Sequence, residues 1–146
     1  MAAVVKLHEA PSLRQVRAIR GTCLCGEVRY EITGTLGQMS HCHCTMCRKH
    51  HGTSFATCIS VPISGFRWTR GQESVVLYRS SPFGTRSFCG TCGSVTPIVD
   101  EEMGLALCPA GNLEGDLTAQ AEAHMFVASK ASWHTITDSL PQHPEF

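Results

Sequence analysis

Nothing in this sequence of 146 residues resembles a run of the roughly 20 apolar residues needed to cross a bilayer, so no membrane-spanning helix is expected. An excess of charge of one sign is missing too: lysine plus arginine and aspartate plus glutamate number 12 each, for a formal net charge of zero. Without a basic field, nucleic acid and anionic membrane surfaces are not expected partners. The opening stretch MAAVVKLHEAPSLRQVRAIR has no continuous apolar segment ending in a small-residue cleavage site, so export is not expected and a cytoplasmic location is. Glycine and cysteine are both absent before Gly21. Residues 1–19 therefore read as an N-terminal arm, either an edge strand or a frayed tail, ahead of a single domain over 20–146. As an edge strand, the arm would allow a homodimer. There is no internal repeat and no low-complexity segment.

What is plentiful is cysteine, with nine residues. In a reducing compartment thiols persist and bind metal, and an odd count leaves a full disulfide framework with one thiol unpaired. The rest of the chain reads as short β segments punctuated by Gly, Pro, Ser and Asn. Val28, Tyr30 and Ile32 alternate with Arg29, Glu31 and Thr33, a half-buried strand that ends at Gly34. Further strands are expected at 54–61, 65–69, 74–79, 86–88, 95–99, 105–108 and 121–127. Helical turns are expected only at 45–51 and 130–136. This pattern is that of a mainly β, antiparallel domain.

The cysteines fall into two groups. Cys23 and Cys25 form a C-x-C pair whose side chains share one side of an extended segment. Cys89 and Cys92 form a C-x-x-C turn, followed by Gly93, which can take positive φ. Four thiolates make the closed tetrahedral set of a structural zinc. The second group, Cys42, Cys44 and Cys47, is a C-x-C-x-x-C run with only three thiolates. Three protein ligands and an open position are the usual layout of a catalytic zinc. Two zinc ions per chain are therefore expected, and seven thiolates against two zinc dications leave a net charge of about −3. Alternation places His41 and His43 opposite Cys42 and Cys44. His50 or His51 could close the second site if their segment is helical. Cys58 and Cys108 stand alone in apolar segments and read as inert buried thiols.

These motifs resemble the glutathione-dependent formaldehyde-activating enzyme family, which also contains the domain of centromere protein V. The likeness runs through Gly21–Gly26, Cys42–Arg48, Arg86–Gly93, Ala110–Leu113, His124–Val127 and Ser129–His134, in the family's order. It implies a β-tent-like fold with a structural zinc on Cys23, Cys25, Cys89 and Cys92 and a catalytic zinc on Cys42, Cys44 and Cys47. It also implies a carbon–sulfur lyase that joins formaldehyde to glutathione, with glutathione as co-substrate, giving S-hydroxymethylglutathione. Asn112-Leu113-Glu114 departs from the threonine, leucine and aspartate found in many relatives, so the substrate does not transfer with the fold.

An open zinc held by thiolates suits a thiol substrate that adds to an aldehyde carbon. A proton donor is needed, and His43, His51 or a water are the candidates. Arg48 and Lys130 are the candidates for glutathione carboxylates, with Trp133 and Phe55 as pocket walls. Two other classes fit the same cysteines: a non-catalytic zinc-binding module acting through protein contacts, and zinc storage or redox sensing through the second cluster.

Overall fold

The computed structural model describes residues 14–115 and 117–146. The first thirteen residues of the expected arm lie outside this range. From Arg14 the chain forms β1 (Arg14–Thr22), which pairs antiparallel with β2 (Arg29–Leu36). β2 continues two residues past the expected stop at Gly34 and pairs on its other side with β5 (Phe66–Arg70). Its alternation is that of the sequence: Val28, Tyr30, Ile32 and Leu36 are buried, while Arg29 and Thr33 are exposed.

A second sheet runs β10 (Ala123–Met125), β3 (Met39–Cys42), β4 (Ala56–Pro62), β9 (Leu105–Pro109) and β8 (Ile98–Asp100). A hairpin of β6 (Val75–Ser81) and β7 (Gly84–Cys89) forms a sheet of its own. The two larger sheets meet through Tyr30, Ile32 and Leu36 on one side and Met39, Ile59, Val61, Ala106 and Cys108 on the other. Full burial of each large apolar side chain contributes about 1.5–3 kcal/mol. Cys23, Val28 and Cys89 form a second, smaller buried group flanked by Trp68 and Val75.

Two expectations need correction. The domain is not wholly antiparallel, because β10 pairs parallel with β3, setting His124 beside His41 and Met125 beside Cys42. The segment 130–136 is not helical but irregular, with a single turn at 132–133. Lys130 explains this: its ammonium donates to the carbonyls of Ala131 and His134, tying the segment into a tight turn instead of a helical ladder. By contrast α1 (Thr45–His51) has the expected bounds. Cys44 caps it, its Sγ accepting from the Cys47 amide, and Gly52 ends it at φ 64°.

Candidate metal centres

The first cysteine set is assembled by two turns and one strand end. After β1 the chain turns through Cys23–Gly26, with the Gly26 amide donating to the Cys23 carbonyl and φ at Gly26 of 77°. The Val28 amide donates to Cys23 Sγ at 3.2 Å. Cys89 closes β7, and the Gly93 amide donates back to its carbonyl across the C-x-x-C turn. Ser94 joins the two turns: its Oγ accepts from the Leu24 amide and lies 3.3 Å from Cys92 Sγ. Hydrogen bonding from the Ser94 side chain and amide pulls the Cys92 thiol down to about 5, toward the thiolate that a metal requires.

The sulfurs of Cys23, Cys25, Cys89 and Cys92 all lie within 4.8 Å of one another. Cys23–Cys25 and Cys25–Cys89 are 3.6 and 3.9 Å apart. A tetrahedral zinc with bonds of about 2.3 Å sets sulfur–sulfur edges of about 3.8 Å, whereas a disulfide closes to about 2.05 Å. The four sulfurs therefore fit a metal ion. A hollow of about 550 Å³ borders Cys23 and Cys25, but a set of four sulfurs leaves no coordination position there for a substrate.

The second set is built by the end of β3 and the start of α1. Cys42, Cys44 and Cys47 bring their sulfurs within 4.8 Å of one another, and no histidine nitrogen among the described residues joins them. The three thiols share charge through their mutual hydrogen bonds. Those from Cys42 and Cys47 hold Cys44 well below the usual thiol range, while the bond with Cys44 pushes Cys42 up. Arg86 on β7 reaches across, its Nη1 donating to Cys47 Sγ at 3.3 Å and its Nε to Ser80 Oγ at 3.2 Å. Three sulfurs at this spacing could hold a metal with one position left over.

Beside Cys42 and Cys47 lies a cavity of about 270 Å³, walled by Ile98, Leu107, Met125 and Phe126, with His51 and Arg86 in its lining. Burial first, then the neighbouring His50, pushes His51 down to about 4. His50 places its Nε2 3.3 Å from the Ser87 carbonyl.

His43 turns the other way. It is fully buried, with Nε2 2.8 Å from His124 Nδ1, and His124 Nε2 is 3.0 Å from Asp138. Burial, then His124, pushes His43 down to about 4. Phe55 packs against His41 and His43 rather than in the cavity. Arg48 donates to the Ser129 carbonyl at 2.9 Å and shares a shallow hollow with Trp133, which is 70% exposed. That hollow contains none of the cysteines, and Lys130 is engaged with backbone carbonyls. Cys58 lines the cavity, and burial raises its thiol to about 12; Cys108 is buried in the core.

Arg86, His124, Asp138 and Phe126 were not singled out by residue spacing. Arg86, His124 and Phe126 belong to motifs that carry the family resemblance, but the reach of Arg86 to Cys47 spans separate elements and leaves no local signal.

Fold and site together define a small β protein with one closed and one incomplete cysteine set, each able to hold a metal ion. The model of the glutathione-dependent formaldehyde-activating enzyme family matches residues 18–129, and the chain belongs to that family. A Halomonas elongata protein, provisionally named as a glutathione-dependent formaldehyde-activating enzyme, is 28% identical over 127 residues, covering 79% of this chain and 78% of that one. The crystal structure of a Rhodobacter sphaeroides protein superposes with a TM-score of 0.53 at 30% identity, covering 68% of this chain and 91% of that chain.

Proposed function

We propose that the protein is a zinc-dependent carbon–sulfur lyase acting on a thiol–aldehyde adduct, formed from glutathione and formaldehyde or a related pair. In this reading Cys23, Cys25, Cys89 and Cys92 hold a structural zinc, and Cys42, Cys44 and Cys47 hold a catalytic one. The observation that carries it is the incomplete three-sulfur set bordering a cavity, beside a separate set of four sulfurs. The partner is a small molecule, and the reaction belongs in the cytoplasm, where free thiols are abundant.

Zinc at the second set supplies Lewis-acid activation of a thiol, making thiolate available at neutral pH. The chain's own residues do the rest. Arg86, donating to Cys47, offsets the negative charge that the cysteines gather. The apolar wall of the cavity excludes water and strengthens every electrostatic contact inside it. His51 lines the same cavity as Cys42 and Cys47, whereas the His43 Nε2 is committed to His124. Of the two histidine candidates, His51 is therefore the better one, beside water, to carry the proton from the thiol to the adduct oxygen.

The test is a screen of thiol–aldehyde pairs with the Cys44→Ala variant as control, since such adducts also form without a catalyst. Metal analysis should give about two zinc per chain in the native protein and about one in Cys44→Ala. Rates equal to those of the control for every pair, with both metals present, would refute the assignment.

A further inference from the structure

The lining of the cavity at the second cysteine set points to a substrate other than formaldehyde. Its volume, about 270 Å³, equals that of about nine liquid waters. Formaldehyde would fill on the order of a fifth of it.

The wall is apolar where it faces Ile98, Leu107, Met125 and Phe126, and Arg86 is the one permanently charged side chain in the lining. Among the described residues no carboxylate side chain lines it. The guanidinium uses Nη1 on Cys47 and Nε on Ser80, leaving Nη2 for an oxygen.

The backbone supplies an independent sign. Phe126 is the one non-glycine residue with positive φ among the described residues, at 56°. For a bulky side chain this conformation is strained and persists only where its surroundings hold it. Here the Phe126 amide donates to the Glu145 carbonyl at 3.0 Å, and the Ser129 amide donates to the Phe126 carbonyl at 3.0 Å. The Phe126 ring lies against Phe146 with centroids 4.7 Å apart. Glycine would satisfy this backbone without strain, so keeping phenylalanine here points to a use for its ring.

We propose that the cavity takes the aldehyde-derived half of the thiol adduct, and that this half carries an apolar substituent of about aromatic-ring size. The inference rests on the thiol–aldehyde reading above. In the reaction the thiolate sulfur attacks the carbonyl carbon and forms the C–S bond. The carbonyl π pair moves to oxygen, which takes the proton the thiol gave up on becoming thiolate and sits against Arg86. The reverse breaks the C–S bond and releases the aldehyde, and no electrons are gained or lost overall.

The test compares metal-replete native protein with Phe126→Gly and Ile98→Trp, one opening the cavity and one filling it. Two ratios are read: kcat/KM for benzaldehyde against formaldehyde with one thiol, and calorimetric Kd for 2-mercaptoethanol against benzyl mercaptan, whose S–CH2–aryl unit stands in for the adduct. In native protein both ratios should exceed tenfold in favour of the aromatic compound. Both should drop at least tenfold in variants that keep two metals and a cooperative melt. Phe126→Gly removes backbone strain, so it guards against misfolding of the other variant. A native preference for formaldehyde, or equal Kd values, overturns the substrate class and leaves the thiol–aldehyde reading standing. Ratios unchanged in folded variants overturn the cavity assignment. No turnover above the Cys44→Ala control for any aldehyde with any thiol of the screen overturns the thiol–aldehyde reading and this inference together.

Discussion

Replacing one sulfur in each cysteine set should have opposite consequences for the fold, and the structure gives the size of the difference. Cys89 is 0% exposed and sits at the end of β7, facing the turn that carries Cys23 and Cys25. The buried apolar group around it is small, with Cys23 and Val28 as its other fully buried members, so hydrophobic packing cannot hold these turns together by itself. Structural zinc contributes about 10–16 kcal/mol in isolated peptides, against a net stability of about 5–15 kcal/mol for a whole domain. If Cys89→Ser forfeits even about 4 kcal/mol of that binding, the melting temperature falls by about 15 °C, or the domain does not fold. Cys44→Ala removes a ligand from the three-sulfur set at the point where the chain passes from the end of β3 into the short helix α1, and Cys44 itself is not among the buried core residues. This variant should lose one metal and melt within about 5 °C of the native protein. Thermal unfolding followed by circular dichroism, with metal content measured on the same samples, decides the matter. A cooperative melt for Cys89→Ser within a few degrees of native would refute the division into structural and functional sites.

Arg86→Met should keep the fold while weakening small-thiol binding at the second site about tenfold, since charge-assisted hydrogen bonds contribute about 1.5–3 kcal/mol. Titrating cobalt-substituted protein with 2-mercaptoethanol and following the visible spectrum measures this. Gly71→Ala should destabilise by at least about 2 kcal/mol, because φ there is +70° and an added Cβ would lie 2.1 Å from the Glu27 carbonyl oxygen; a urea titration reads it directly. His51 is held neutral by burial, at about 4 against an ordinary value of 6.5. A histidine whose folded value is depressed contributes its full share of stability above about pH 6.5, loses it progressively down to about pH 4, and changes little below. The urea midpoint should therefore fall with acid across that window, and His51→Gln should make the fall shallower. An identical slope in the variant would contradict the burial.

Much of the site was legible because cysteine spacing carries its own geometry. The C-x-C and C-x-x-C pairs converge as local turns, and the helical turn expected at 45–51 is α1 with the same bounds. The alternation of Tyr30 and Ile32 with Glu31 and Thr33 gave β2 directly. What was hidden depends on contacts between distant segments. The parallel pairing of β10 with β3 aligns His124 with His41, and nothing in either short segment announces the partner. The same pairing makes the His43–His124–Asp138 chain invisible to spacing arguments. A helical turn is expected at 130–136, yet the Lys130 ammonium donates to the carbonyls of Ala131 and His134 within that segment. That side-chain bonding overrides local propensity.

The difference between the two cysteine sets is finally one of charge. Four thiolates around a zinc dication carry a net −2, and the exposed Cys25 lets solvent bear part of it. Three thiolates around the same ion carry −1 beside an apolar cavity, where unscreened charge costs far more. With zinc bound as proposed, Arg86 would cancel that charge through Cys47, leaving the second centre close to neutral before a substrate arrives. A further thiolate then brings the total to −1 rather than −2. On the proposed two-zinc reading, the guanidinium donating to Cys47, as much as the missing fourth cysteine, suits the second set to a thiol.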